Sequence, residues 1–252
     1  MQIASTRGSG STGERSFYAA MSLLLLATVV LGFGRTFFFK PWFPEARDLA
    51  PAESFFFFHG IAMAAWFVLL IVQAALVASG NVRAHRQLGR YGAVLAVVNV
   101  VLGVIGGLVA AARPTGFVGV PVPPLVFLVV PLASITLFGV FVALAIARRS
   151  DPQSHKRYML LASIGMVEAA LARWPFEFMA QPSPVPGMPM WVLATCLFLA
   201  PLAAWDLASR GRLHAVTLWG GLALIATLLL RMPLASTQAW QGFARWAVGL
   251  LG

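Results

Sequence analysis

Glu168 stands in the middle of the apolar stretch "KRYMLLASIGMVEAALARWPF", eleven residues after Arg157 and five before Arg173. In a helix that places the carboxylate about 16 Å beyond Arg157, close to the middle of a bilayer. An ionised group at such depth is disfavoured by several kcal/mol, so it must be protonated, hydrogen-bonded, paired or facing water. Depth counting along neighbouring spans brings Ser134, Thr136 and, one turn nearer the cytoplasm, Asn99 to a similar level. These four residues are the expected buried polar centre. Pro131 supports it, because a proline inside a helix frees the carbonyl four residues back, here Phe127, and tends to kink the span beside Ser134.

A second set could bind a metal. His59, Met63, Trp66, Leu70 and Gln73 follow steps of four, three, four and three, which puts all five on one helical face. His59 and Met63 offer an imidazole and a thioether suited to copper, and His59 alone suits an axial haem position. A histidine near an interface that merely hydrogen-bonds a neighbour is the commoner role. His85, His155 and His214 recur in basic loops, "RAHRQLGRYG", "QSHKRYMLL" and "RGRLHAVTLW", each at the start of an apolar run. Three imidazoles with an open position make a catalytic zinc pattern. The arginines and lysines beside them oppose a cation and favour lipid headgroups instead. The repetition reads either as a weak internal repeat of hairpins or as chance histidines in basic loops. Arg173 lies about 140° round the helix from Glu168, so it should meet Glu177, His59 or a lipid phosphate rather than Glu168. An outer level of His59, Met63, Arg173 and Glu177 follows. An inner level would hold Gln73, Asp206 and the three loop histidines.

The elements that position these residues are set by composition. Of 252 residues 60% are hydrophobic and 10% charged, and the mean hydropathy is +0.84. A soluble domain carries nearer a quarter charged residues, so this is a membrane protein. The net charge of +10 resides in short clusters between apolar runs, a topology signal and not a nucleic-acid footprint. Cys196 is the only cysteine, which excludes an internal disulfide. Seven segments of spanning length, roughly 17–37, 55–79, 89–112, 122–147, 156–176, 189–208 and 213–232, predict an all-α polytopic bundle of seven transmembrane helices. Residues 1–15 read as a disordered tail, the first span as an uncleaved signal anchor, and residues 233–252 as an amphipathic interfacial helix with Trp240, Phe243, Ala247 and Leu250 on one face. Arginine and lysine gather in the tail and in the loops after the second, fourth and sixth spans, which predicts the N-terminus in the cytoplasm and the C-terminus outside. Gly92, Ala96, Asn99, Gly103 and Gly107 share a face of the third span that permits close helix contact.

The stretches "FFHGIAMAAWFVLLIVQAALVASGNVRAHRQLGR", "DPQSHKRYMLLA" and "ARWPF" together resemble a widespread family of bacterial multi-pass membrane proteins that pair an HG-W-Q second span with HRxLG and HKRxM loops. The resemblance covers the second to fifth spans and implies an inner-membrane location, with no activity attached. The HKRxM element is also similar to one in small helical proteins implicated in terminal-oxidase assembly. The first functional expectation is therefore a metal- or haem-linked accessory or assembly protein of a membrane redox system, with haem, copper or zinc as the groups it would handle. The alternatives are a small-solute or proton pathway through Glu168, and a structural or lipid-binding subunit. The expected partners are the bilayer and a redox complex or a second copy, without nucleic acid. Enzyme motifs such as paired aspartates, di-iron histidine sets or serine-histidine spacings are missing from the sequence.

Overall fold

The computed structural model describes residues 12–43, 52–181, 183–185 and 188–251. The fold is all-α. Its helices are α1 (Thr12–Phe33, continued by a π turn at Gly34–Phe38), α2 (Glu53–Ala78), α3 (Val82–Ala112), α4 (Pro124–Phe127), α5 (Val129–Ala147), α6 (Pro152–Met166), α7 (Glu168–Leu171), α8 (Met190–Leu197), α9 (Leu199–Arg210), α10 (Ala215–Ala235) and α11 (Gln238–Gly249). Among the described residues, six helical stretches are long and apolar enough to cross a membrane: 12–38, 53–78, 82–112, 124–147, 190–210 and 215–235. The chain is a multi-pass membrane bundle.

The expected fifth span is the exception. α6 and α7 run the same course as a spanning helix but stop at Leu171, not 176, and tighten at Val167, whose N–H reaches back only to the Ile164 carbonyl (3.3 Å). This segment is more polar than its neighbours because it lies inside them. In α6 eight residues are buried, among them Arg157, Leu161, Ser163 and Ile164. In α2, by contrast, only Trp66 and Phe67 are buried and the rest is exposed or half-buried. A helix wrapped by protein need not present an apolar surface to lipid all round, so composition alone under-reports it.

The other interruptions have a common cause. Pro131 cannot donate to Phe127, and the ladder breaks at Leu128 between α4 and α5; Pro201 cannot donate to Leu197, and it breaks at Phe198 between α8 and α9. The first of these is the kink expected from the sequence.

Successive spans run antiparallel, so the molecule has two distinct ends. At the basic end, Arg15 donates to the Ala78 carbonyl (3.2 Å), Gln153 to Glu14 (3.1 Å), and the rings of His85 and His155 meet. At the aromatic end, Phe37 packs on Phe57, Arg113 covers Phe56 at 4.2 Å, and Arg173 covers Phe33 at 4.9 Å. Residues 12–15, expected in a disordered tail, form the first turn of α1, while 1–11 lie outside the described residues. α11 packs Trp240, Ala244 and Ala247 inward, with Trp240 Nε1 donating to the Leu125 carbonyl (2.8 Å). Phe243, Trp246 and Leu250 stay exposed, so the face expected to hold Trp240, Phe243, Ala247 and Leu250 together is divided between the bundle and its surface.

Among the described glycines, Gly32 has the tightest surroundings. A Cβ there would come within 2.2 Å of the Ala170 carbonyl oxygen. Trp174 Nε1 donates to the Thr28 carbonyl (3.2 Å), so α1 is joined to α7 by packing and to the turn after it by a hydrogen bond. In α3, Gly103 and Gly107 accept the side chains of Ile135 and of Leu128, Pro131 and Leu132, the close contact expected of that glycine face.

Candidate functional site

The central helix carries two buried charges, and each is matched by an opposite charge from the C-terminal helices. Near the basic end, Arg157 of α6 is fully buried and its guanidinium meets the fully buried Asp206 of α9. Arg157 Nη1 also donates to the Gln153 carbonyl (2.9 Å) and to Gln153 Oε1 (2.6 Å). Asp206 Oδ2 accepts further bonds from the His214 N–H (3.0 Å) and the Thr217 hydroxyl (2.5 Å). Every charged atom of this network is answered from within the chain, which is the condition for a buried ion pair to be tolerable.

About eleven residues further along the helix, some 16 Å at 1.5 Å per residue, Glu168 of α7 meets Arg231 of α10. The contact is a two-pronged fork: Nη1 donates to Oε2 (2.6 Å) and Nη2 to Oε1. Both side chains are buried, with residue exposures of 4% and 5%. Unlike the inner network, this pair stands nearly alone. Arg231 Nε is buried and finds no hydrogen-bond partner among the described residues.

Between the two levels, Trp66 Nε1 of α2 donates to Ser163 Oγ (3.0 Å), whose hydroxyl donates to the Met159 carbonyl (2.9 Å). The Trp66 ring meets Phe138 edge-on at 4.8 Å. The α2 face predicted from spacing thus points into the bundle, with Met63 and Leu70 packed on the same core.

The expected polar centre is not assembled as predicted. Glu168 is buried, but its partner is Arg231; Ser134 is half-buried and Thr136 faces outward from α5. Asn99 is completely buried, yet neither its Oδ1 nor its Nδ2 has a hydrogen-bond partner among the described residues. The sequence did carry a signal for Arg231. Each member of the pair lies seventeen residues after the residue that caps its helix, 151 to 168 and 214 to 231. A span with one interior carboxylate calls for a cation at equal depth, but Arg231 sits near the end of its apolar run and reads there as a terminal arginine.

The outer level is likewise divided between interfaces. His59 stacks on Phe55 (6.2 Å) and lies against Gly106 of α3. Arg173 lies on Phe33 of α1 and donates to the Ala169 carbonyl (2.6 Å), and Glu177 is exposed in a short 3-10 turn. Met63 remains with His59 on α2.

The loop histidines separate into a pair and a single. Gln73, with its amide set so that Oε1 accepts from the Gly89 N–H (3.0 Å), donates to His85 Nδ1 (2.7 Å). His155 Nδ1 lies 2.8 Å from the Ala145 carbonyl, to which it donates. The two rings meet edge-on at 6.3 Å. His214 instead caps α10, its Nδ1 accepting from the Val216 N–H (3.1 Å). Burial, followed by the charges of Arg157 and Arg210, holds its pKa below the ordinary histidine value, in keeping with a neutral acceptor. Among the described residues, no three His, Cys, Asp or Glu side chains converge as a metal centre. The three loop histidines expected together do not gather at one point, since the cap bond holds His214 apart from His85 and His155.

Comparison with protein-family models, curated proteins and solved structures returns no match.

Proposed function

We propose that this chain is an accessory subunit of the bacterial inner membrane that holds a fixed bundle beside a partner, and that Glu168 serves that bundle rather than a conducting pathway. The observation that carries this reading is the two-pronged Glu168–Arg231 contact in a buried site. A carboxylate that carries protons must give up its partner and reach water during each cycle. Here, protonating Glu168 would leave a guanidinium that cannot itself deprotonate, desolvated and without its counter-ion, at a cost of about 3–5 kcal/mol. The basic residues at one end of the bundle, among them Arg83, Arg86, Arg148, Arg149, Arg210 and Arg212, support an orientation with the N-terminus in the cytoplasm. The test is Glu168→Gln in proteoliposomes with a pH-dependent flux assay and a melting curve. The reading expects unchanged flux and lowered stability; lost flux with intact stability favours the transport alternative.

A second reading, a metal- or haem-linked role in a redox system, is favoured by the His85–His155 pair. Both imidazoles are oriented through Nδ1: the Nδ1–H of His155 leaves its Nε2 with a free lone pair, whereas His85, which accepts from Gln73 at Nδ1, carries its proton on Nε2 and would have to release it to ligate. Visible absorbance and elemental analysis of the purified protein test it. A Soret band or stoichiometric copper, zinc or iron that His155→Ala removes supports the reading, and their absence removes it.

A further inference from the structure

The first turns of α3 carry Arg83, Arg86 and Arg90, and further along the same helix come Val94, Val97 and Val101. At about 100° per residue, all six fall within about 60° of one line along the helix. Gly92, half a turn round from that line, meets Leu69 of α2, and Gly103, on the same side as Gly92, meets Ile135 of α5. The line therefore faces away from both neighbours. All six residues are exposed, the valines by 62%, 64% and 50%.

Among the described residues nothing answers the charges on this face, since Arg83, Arg86 and Arg90 make no hydrogen bond or ion pair. The sequence has no Asp or Glu from residue 54 to residue 150, so α3 and the adjoining ends of α2 and α5 supply no carboxylate. Asp151, next along the chain, is occupied in capping α6. One of its oxygens accepts from the Gln153 N–H (3.0 Å) and the other from the Ser154 hydroxyl (2.6 Å). Three cations thus stand within about 10 Å along one helix axis.

Where the arginines stop, the apolar strip begins. Tyr91, 75% exposed, marks the boundary, the level at which an amphipathic ring settles between headgroups and hydrocarbon. From Arg90 to Val101 is about 16 Å, the depth of one leaflet of a hydrocarbon core ~30 Å thick. A guanidinium grips a phosphate by two parallel hydrogen bonds and has nothing with which to hold an ammonium.

We infer that this face of α3 binds a phospholipid with two phosphodiesters and no amine, a diphosphatidylglycerol. Arg83, Arg86 and Arg90 hold its phosphates, and an acyl chain lies along Val94, Val97 and Val101. A single phosphate leaves part of so close a group of cations unanswered, and the second phosphate of the same headgroup supplies the rest. The valines suit the tail, because a branched side chain keeps one preferred rotamer in a helix and presents a stiff strip. The assignment is independent of any protein partner and of any metal.

The experiment is native mass spectrometry of the detergent-purified full chain, titrated separately with diphosphatidylglycerol, phosphatidylglycerol and phosphatidylethanolamine of identical acyl chains. The wild type should retain diphosphatidylglycerol about tenfold better than phosphatidylglycerol, the worth of one further charged contact, and phosphatidylethanolamine least. Arg86→Gln with Arg90→Gln should weaken diphosphatidylglycerol roughly thirtyfold, since each arginine at an anionic surface is worth about fivefold. Arg210→Gln with Arg212→Gln removes the same charge from another loop of the basic end and should change retention little. Equal retention of the three lipids by the wild type overturns the inference. So does an equal loss in the two double variants, which makes the attraction a property of the whole basic end. Should the Arg86 and Arg90 double variant not fold, Arg83→Gln takes its place, with an expected loss of roughly fivefold. Soluble glycerophosphoglycerol, which has the phosphodiester and no tails, provides the last arm. Failure to displace the lipid at equimolar concentration supports the apolar strip as part of the site, and displacement overturns the lipid assignment in favour of a free phosphodiester.

Discussion

The two ion pairs of the central helix have the same chemistry in opposite settings. Arg157–Asp206 is embedded in hydrogen bonds from Gln153, His214 and Thr217, so each charge has several partners. Among the described residues, Glu168–Arg231 has only its own fork, with one guanidinium nitrogen unanswered. The inner network ties a chain reversal together, because Asp206 reaches across the turn to His214 and Thr217. The outer pair clamps two helices deep in the bundle and nothing more. Loss of one partner should therefore be absorbed in part at the inner level and hardly at all at the outer one.

The largest expected effect comes from removing a carboxylate. Glu168→Ala strands a buried guanidinium and should lower stability by about 3–5 kcal/mol, read from thermal unfolding in mild detergent. Asp206→Ala should cost less, since Arg157 keeps both of its Gln153 contacts; a larger loss at Asp206 would break the comparison. Replacing whole pairs sharpens it. Glu168→Met with Arg231→Met should be neutral or stabilising by about 1–4 kcal/mol, the usual outcome when an isolated buried pair becomes apolar. Arg157→Met with Asp206→Leu should still destabilise, because the Thr217 hydroxyl, the His214 N–H and the Gln153 amide lose their partner.

Gly32→Ala probes whether α7 needs close packing to hold Glu168 in place. The added methyl meets the Ala170 backbone at 2.2 Å, and overpacking of this kind costs about 1–3 kcal/mol. An unchanged melting temperature would show that α1 is free to shift away from α7. The smallest effect is pH-dependent and belongs to the inner level, where Asp151 caps α6. The Ser154 hydroxyl holds the Asp151 pKa below its ordinary value of 3.8, with the Ser154 and Gln153 N–H groups contributing and burial opposing. A lowered folded pKa contributes stability that is present above the ordinary value and is lost as the pH falls through the folded one. Below about pH 4 stability should decline by under ~1 kcal/mol, and Asp151→Ala should remove that part of the slope in acid melting curves.

Much of the bundle is legible in the sequence. The apolar runs, the basic loops, the Pro131 kink and the α2 face all follow from local chemistry, as do the glycine contacts of α3. Asn99 shows where local reasoning ends. Its burial follows from sharing a face with Gly92, Gly103 and Gly107, but helix periodicity does not say what lies opposite that face. Thr136 shows the complementary error, since equal depth along a neighbouring span says nothing about rotation and the residue points outward. The histidines erred for the same reason, because three similar loops do not place three side chains at one point.

Composition alone determined that this chain dissolves in lipid as a helical bundle, and a carboxylate in the middle of an apolar run determined that a partner had to exist. Those conclusions rest on solvation, which acts on each residue separately. Only the tertiary structure decided that α6 and α7 form the centre, that Arg231 rather than Asn99 meets Glu168, and that Arg157 is shared with Asp206. The reason is that pairing across 49 or 63 residues depends on how helices rotate and stack against one another, and no local pattern encodes that.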